Sequence, residues 1–354
     1  MVSVRSVSAA ALAAGDERFD AVIDARSPAE FADDHLPGAC NWPVLDDAER
    51  AQVGTLYAQA SALAARQVGA PLAARRIAQH LERELRGKPA DWRPLVYCWR
   101  GGQRSGTLAW FLAQIGFRSA QLAGGYKAWR ALVRTELDTL PLGRDWRVLC
   151  GRTGSGKTRL LQALAAQGAQ VLDLEGLACH RGSVLGALPD APQPSQKRFE
   201  HLLWQALRGF DRTRAVWVES ESGRIGALRV PAVLLDELRQ RGRCLQLALP
   251  FDARIALLLE DYAHFRRDPE GFNRQLDPLI ALRGRDTISG WQALAKSGDW
   301  PTLFGALIRE HYDPLYERSL RSHFPQLAQA ATLALPDAGA ATLQAAAAEL
   351  LRSG

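Results

Sequence analysis

The stretch VYCWRGGQRSGTLAWFL, Val96 to Leu112, ends an apolar run in Cys98 and then spends six residues, Trp99, Arg100, Gly101, Gly102, Gln103 and Arg104, before a helix-like pattern begins. A cysteine at the C-terminal end of a buried strand, followed by a tight loop into a helix, lies where backbone N–H groups and a helix N-terminus converge. Arg100 and Arg104 add positive charge that favours the thiolate, and Gly101 and Gly102 let the loop curl so that its amides turn inward. The expectation is a nucleophilic Cys98 in a loop that holds an anion bonded to its sulfur. Further along, LCGRTGSGKTRLL repeats the plan around a lysine. Gly151, Arg152, Thr153, Gly154, Ser155, Gly156, Lys157 and Thr158 satisfy G-x-x-x-x-G-K-[ST] between strand-like RVLC and a helix-like run. Glycines let amides wrap a phosphate, Lys157 supplies a point charge and the Thr158 hydroxyl can reach a magnesium ion.

Other polar stretches could serve these cradles. AVWVESESGRIG ends a strand-like run in Glu219 with Glu221 beside it, where a P-loop protein often keeps a carboxylate for a metal ion or water. Glutamate in place of the more usual aspartate puts nucleotide hydrolysis in doubt. Glu175, His180 and Arg181 in DLEGLACHRGSVLG, Lys197 and Arg198 in QPSQKRFE, and Arg224 are candidates for contacts to substrate phosphates or a nucleic-acid backbone. From chemistry alone the first two stretches read equally well as a solvated loop and a helix start. His264, His311 and His323 lack metal-ligand spacing and read as structural, so no metal site is assigned.

The elements that must position these residues are α/β in pattern. DAVIDAR, PLVYCW and SAQLAGG read as buried strands, with a helix over Leu56 to Leu85 between the first two. After Arg134–Trp146, which carries Pro141 and Gly143, a second series of strands reads RVLCG, AQVLDLEG, AVWVESE and CLQLALP, and the tail from Ala253 reads as mostly helical. The expected domains are 1–135, a linker 136–146, and 147–354 with a helical C-terminal region, each with a parallel sheet. A chain of 354 residues is long enough for two such cores. No apolar stretch approaches a membrane span, and the expected location is cytoplasmic. The five cysteines are odd in number and form no C-x-x-C pair, which argues against a disulfide framework and a zinc site. Cys40, Cys150, Cys179 and Cys244 read as small core residues. The net charge of +6 weakly favours a polyanionic partner.

Residues 15–135 resemble the rhodanese domain: DARSPAEFADDHLPGACNWP matches its early signature, YCWRGGQRS its active-site loop and LAGGYKAW its closing segment. The resemblance implies that Cys98 carries sulfur or a related chalcogen as a persulfide or equivalent adduct. The C-x5-R spacing of Cys98 and Arg104 is one residue longer than in simple sulfurtransferases and equals that of rhodanese-like phosphatases, a wider mouth that suits phosphate or selenium. With GRTGSGKT, DLEGLACHRGS, QPSQKRFE, WVESESGRIG and HYDPLY, the chain over residues 20–316 is similar to the tRNA 2-selenouridine synthase family.

That resemblance implies a tRNA-modifying transferase. It would replace the sulfur of wobble 2-thiouridine in lysine, glutamate and glutamine tRNAs with selenium from selenophosphate, through an S-geranyl intermediate made from geranyl diphosphate. Selenophosphate and geranyl diphosphate would be co-substrates, Mg2+ an optional ion, and no cofactor would be tightly bound. The expected partners are tRNA and, as a supplier, selenophosphate synthetase, with no membrane. Cys98 and its loop would handle selenium, Lys157 and Thr158 the diphosphate, and Arg181, Arg198 and Arg224 the tRNA backbone. Two other readings stay open: a cysteine-dependent phosphatase fused to a P-loop kinase, and a non-catalytic tRNA-binding protein with a vestigial P-loop.

Overall fold

The apolar runs of the sequence become two parallel sheets in two separate units. The structure, a computed structural model, describes residues 4–353, and the chain divides between Glu136 and Leu137. In the first unit the strands are β1 (Arg5–Val7), β2 (Ala21–Asp24), β3 (Ala39–Asn41), β4 (Pro94–Tyr97) and β5 (Ala120–Leu122), ordered β1-β5-β4-β2-β3 and all parallel. β4 lies centrally and is buried along its whole length, which is why Pro94 to Tyr97 reads as an unbroken apolar run. β1 and β3 give no signal in the sequence because each has three residues at a sheet edge and no apolar run. The helix expected over Leu56 to Leu85 is two, Asp47–Gln59 and Ala62–Glu84. The second starts at Ser61, whose hydroxyl accepts the Ala64 N–H at 3.0 Å as an N-cap. Ile23, Val96, Leu108, Leu112, Trp42 and Trp92 form the core into which Cys98 is set.

In the second unit the strands are β6 (Trp146–Cys150), β7 (Gln170–Leu172), β8 (Val216–Glu219), the antiparallel pair β9 (Arg224–Ile225) and β10 (Leu228–Arg229), β11 (Arg243–Ala248) and β12 (Ala331–Ala334). The main sheet has the order β12-β11-β6-β8-β7 and is parallel throughout. β12 corrects the reading of the tail as helical: four small or short residues, ATLA, add a strand beside β11. Beyond it the helix Ala340–Ser353 packs on the helix Lys157–Ala166 through Leu343, Ala346 and Ala347 against Leu160, Leu161 and Leu164. The helices between β11 and β12 bury a second cluster around Phe272, Trp291, Trp300, Phe304 and Leu307.

The segment 136–146, expected as a linker, is tied to the second unit from residue 137 onward. The Arg144 guanidinium donates to the carbonyls of Leu140 at 2.8 Å and Leu207 at 2.7 Å, Trp146 Nε1 donates to the Pro141 carbonyl at 3.0 Å, and the Gly143 N–H donates to Glu237 at 3.0 Å. In both sheets the motif-bearing loop leaves the C-terminal end of a central strand, β4 or β6. That is the place where parallel sheets open toward ligands.

Candidate functional site

Cys98 follows directly on β4 and is 3% exposed. The Ser105 hydroxyl donates to its Sγ at 3.1 Å, and Gln121 Nε2 donates in turn to Ser105 Oγ at 2.8 Å and to the Gly101 carbonyl at 2.9 Å. The closing segment holds the loop from the other side: the N–H groups of Tyr126 and Lys127 donate to the carbonyls of Cys98 at 2.8 Å and Trp99 at 2.9 Å. Gly125 permits this approach. Its φ is +58°, and a Cβ there would lie 2.2 Å from the Cys98 carbonyl oxygen. With the carbonyls so engaged, the amides of Gly101, Gly102, Gln103 and Arg104 donate to nothing among the described residues. The loop borders a shallow cavity of about 400 Å³ whose walls include Gly101, Gly102, Gln103, Thr107 and the exposed Trp110.

The two arginines diverge. Arg100 is exposed and is not among the residues that line the cavity, whereas Arg104, expected on the anion, donates to Glu30 at 2.8 Å. Burial tends to raise the Glu30 carboxyl, but the Arg104 bond and charge outweigh it and hold the group below its usual range. Of the remaining cysteines, Cys150 is buried as expected, Cys40 is exposed on β3, and Cys179 takes the left-handed conformation, φ 49°, at a helix end.

In the second unit the loop after β6 has the conformation its glycines allow, with φ of +76° at Gly154 and +84° at Gly156. A Cβ at Gly151 would lie 2.8 Å from the Leu247 carbonyl oxygen, so the strand-to-loop step tolerates no side chain. Lys157 Nζ donates to the Gly151 carbonyl at 2.8 Å. The Thr158 hydroxyl lies 3.3 Å from Glu219 and 3.4 Å from Glu175. Glu175, Glu219 and Glu221 bring one carboxylate oxygen each within 4.8 Å of the others. Burial, then mutual repulsion, pushes each of the three up to about 8, with Lys157 pulling the other way. Burial opposes the charge of Lys157, but Tyr316 and the three glutamates outweigh it and raise its pKa. Carboxylate and hydroxyl oxygens around a phosphate loop are the donor set that suits a magnesium ion.

These groups line one cavity of about 680 Å³ with Asp173, His180 and Arg181. The rest of its lining mixes an apolar patch of Leu188, Leu257, Leu258, Leu315, Leu320 and Phe324 with polar residues such as Arg159, Gln162, Asp261 and Ser319. The structure therefore gathers Lys157, Thr158, Glu175, His180, Arg181, Glu219 and Glu221, while Lys197, Arg198 and Arg224 are not among the lining residues. Burial lowers His180, whose Nδ1 accepts the Gly182 N–H at 3.1 Å. Arg181 donates to the Asp261 carbonyl and lies 4.9 Å from the Tyr262 ring centre. Arg152 pairs with Glu317.

Residues 144–274 match the model of the tRNA 2-selenouridine synthase AAA domain and residues 8–132 that of the rhodanese-like domain. The tRNA 2-selenouridine synthase of Cupriavidus necator is 36% identical, over 84% of this chain and 87% of its own. Those of Verminephrobacter eiseniae and Alcanivorax borkumensis are 37% and 36% identical, over 83% and 84% of this chain and 87% and 89% of theirs. The chain belongs to the tRNA 2-selenouridine synthase family.

In this member of the tRNA 2-selenouridine synthase family, the P-loop is clamped by residues that lie outside its motif. The Tyr316 Oη accepts a hydrogen bond from the Gly151 N–H at 2.6 Å and lies 3.0 Å from Ser220 Oγ; the ring centre is 5.3 Å from Lys157 Nζ. Arg254, 4% exposed, donates to the Thr153 carbonyl at 2.7 Å and to Asp313 at 2.6 Å. Asp313 and Tyr316 belong to HYDPLY, a stretch that carries part of the family resemblance but whose own chemistry names no role. No local spacing signals these contacts, because their partners lie far away in the chain.

Proposed function

We propose that this chain performs the exchange for which its relatives are named, converting wobble 2-thiouridine in tRNA to 2-selenouridine by way of an S-geranyl intermediate. The observation that carries the reading is the second unit's cavity, where a phosphate loop and an acidic, hydroxyl-bearing wall meet an apolar patch of Leu257, Leu258, Leu315, Leu320 and Phe324. A diphosphate with a hydrocarbon chain matches both halves, and geranyl diphosphate is such a ligand.

In the first step the thiocarbonyl sulfur bonds to C1 of the geranyl group as the C–O bond breaks, pyrophosphate takes the electron pair, and N3 of the base loses its proton. Lys157 and the loop amides stabilise the charge growing on pyrophosphate. Thr158, Glu219, Glu175 and Glu221 would hold Mg2+, which supplies further charge to the leaving group. In the second step the selenium of selenophosphate adds at C2 and the C–S bond breaks, releasing geranyl thiol in place of a poorly leaving sulfide; water then takes the phosphoryl group as the Se–P bond breaks, giving inorganic phosphate and 2-selenouridine. Gly101, Gly102, Gln103 and Arg104, whose backbone N–H groups face no protein acceptor among the described residues, would hold selenophosphate beside Cys98, with Trp99 and Arg100 as the first residues of the same loop. Arg181, Arg198, Arg224 and Lys197 are offered for tRNA contacts. Work on tRNA belongs in the cytoplasm, and among the described residues no helix is long and apolar enough to cross a membrane.

Nucleoside mass spectrometry on 2-thiouridine-containing tRNA, with geranyl diphosphate and selenophosphate supplied, tests the reading. Wild type should yield 2-selenouridine, Cys98→Ser should accumulate the S-geranyl nucleoside, and Lys157→Ala should yield neither. Unchanged thiouridine together with Cys98-dependent hydrolysis of a phosphate ester would replace this reading by the phosphatase one.

A further inference from the structure

His311, read from the sequence as structural, lines the second unit's cavity and is 3% exposed. It sits in the π-helical turn Leu307–Tyr312, a rare geometry that tends to occur where a helix presents functional groups. The edge of its ring meets Trp291 at 6.3 Å and Tyr312 at 4.9 Å between centres, which fixes the tilt. Arg283 Nε donates to His311 Nδ1 at 3.1 Å, and Arg283 Nη2 donates to the His311 carbonyl at 3.2 Å. An arginine N–H is always a donor, so Nδ1 is the acceptor nitrogen and the proton of the neutral ring belongs on Nε2. Burial first, and the Arg283 charge second, hold the ring below the ordinary histidine range, in keeping with that neutral form. Nε2 has no protein partner among the described residues, and it is not sealed inside the protein as His264 Nε2 is. Arg283 forms no ion pair among the described residues, so its charge stands behind the imidazole uncompensated.

We propose that His311 is a second anion contact of this cavity, a neutral imidazole whose Nε2–H, fixed by Arg283, donates to an oxygen of the phosphorylated ligand held by the P-loop. The inference rests on the reading of the cavity as a diphosphate site. It assigns His311 as a donor that cannot serve as a general base through Nε2, because that nitrogen already carries the proton. The geometry also gives Arg283 a role as a positioning residue, since it sets the tautomer without facing the ligand.

Two substitutions separate binding from packing. In His311→Asn the side-chain oxygen can replace Nδ1 as the acceptor for Arg283, while the Nε2 donor is lost. In His311→Gln an N–H can reach the Nε2 position, while the acceptor for Arg283 is lost. With inorganic pyrophosphate as the titrant in calorimetry on the full chain, His311→Asn should bind about tenfold or more weakly at an almost unchanged melting temperature. His311→Gln should bind within about threefold of wild type despite a lower melting temperature. Wild-type affinity in His311→Asn, with affinity lost in Lys157→Ala, overturns the role of His311 and leaves the diphosphate site standing. Wild-type affinity in Lys157→Ala overturns the diphosphate site itself and this inference with it. Nitrogen NMR of the wild-type imidazole reads the tautomer without any variant: an Nε2–H form whose Nε2 resonance moves on adding pyrophosphate is expected, and an Nδ1–H form or an unmoved resonance refutes the proposal.

Discussion

Three carboxyls pressed together beside a lysine make the second unit sensitive to pH. Glu175, Glu219 and Glu221 titrate near 8 in the fold against an ordinary 4.5, so between those values the folded chain keeps protons that the unfolded chain has released. A folded state that binds more protons loses stability as pH rises, and the loss should accrue through that window. The melting temperature of the ligand-free protein should therefore fall from about pH 5 to pH 8 more steeply in wild type than in Glu221→Gln. At pH 8 the variant should melt about 2–4 °C higher for each kcal/mol of repulsion relieved. Mg2+ should shrink the difference, because a bound cation lets all three ionise. Arg254 is a second residue whose loss should be felt. Removing it strands Asp313 and the Thr153 carbonyl, and Arg254→Ala should cost about 3–5 kcal/mol in denaturant unfolding.

At the scale of elements, both cradles are a strand, a loop and a helix, and that much is legible in the sequence because each part signals itself locally. An apolar run marks a buried strand, glycines mark the turns, and the helix follows in the composition. The brace against each loop is not legible. Gly125 touches the Cys98 carbonyl from a different strand-to-helix turn, and its φ of +58° excludes a side chain twice over, by conformation and by contact. Gly125→Ala should destabilise the first unit by on the order of 3 kcal/mol and speed alkylation of Cys98 by iodoacetamide. An unchanged alkylation rate would mean that the closing segment does not hold the loop. β12 is illegible for a related reason: ATLA has no apolar run of its own and becomes a strand because β11 offers it an edge.

For the whole molecule, the division into two units places residues 137–145 with the second. Arg144 and Trp146 anchor that segment, and Gly143 is bonded to Glu237. A fragment 137–354 should accordingly melt higher than a fragment 147–354, which lacks Arg144 and leaves the Leu207 carbonyl without that donor. The net charge of +6 makes a further expectation for the intact chain. Binding to tRNA should weaken steeply and linearly on a log scale as salt rises, and a flat salt profile would exclude the backbone contacts proposed for Arg181, Arg198 and Arg224.

The sequence by itself determined the α/β class and the two strand–loop–helix units that carry Cys98 and Lys157, since each is written in adjacent residues whose chemistry is local. Tertiary structure alone decided which distant groups meet them. Tyr316 reaches Gly151 across 165 positions, and Arg254 reaches Thr153 across 101. It also turned Arg104 toward Glu30 and brought His311, which no spacing rule singled out, to the wall of the cavity beside the P-loop. Hydrogen bonds and burial depend on where the chain returns in space, and no spacing along the sequence encodes that return.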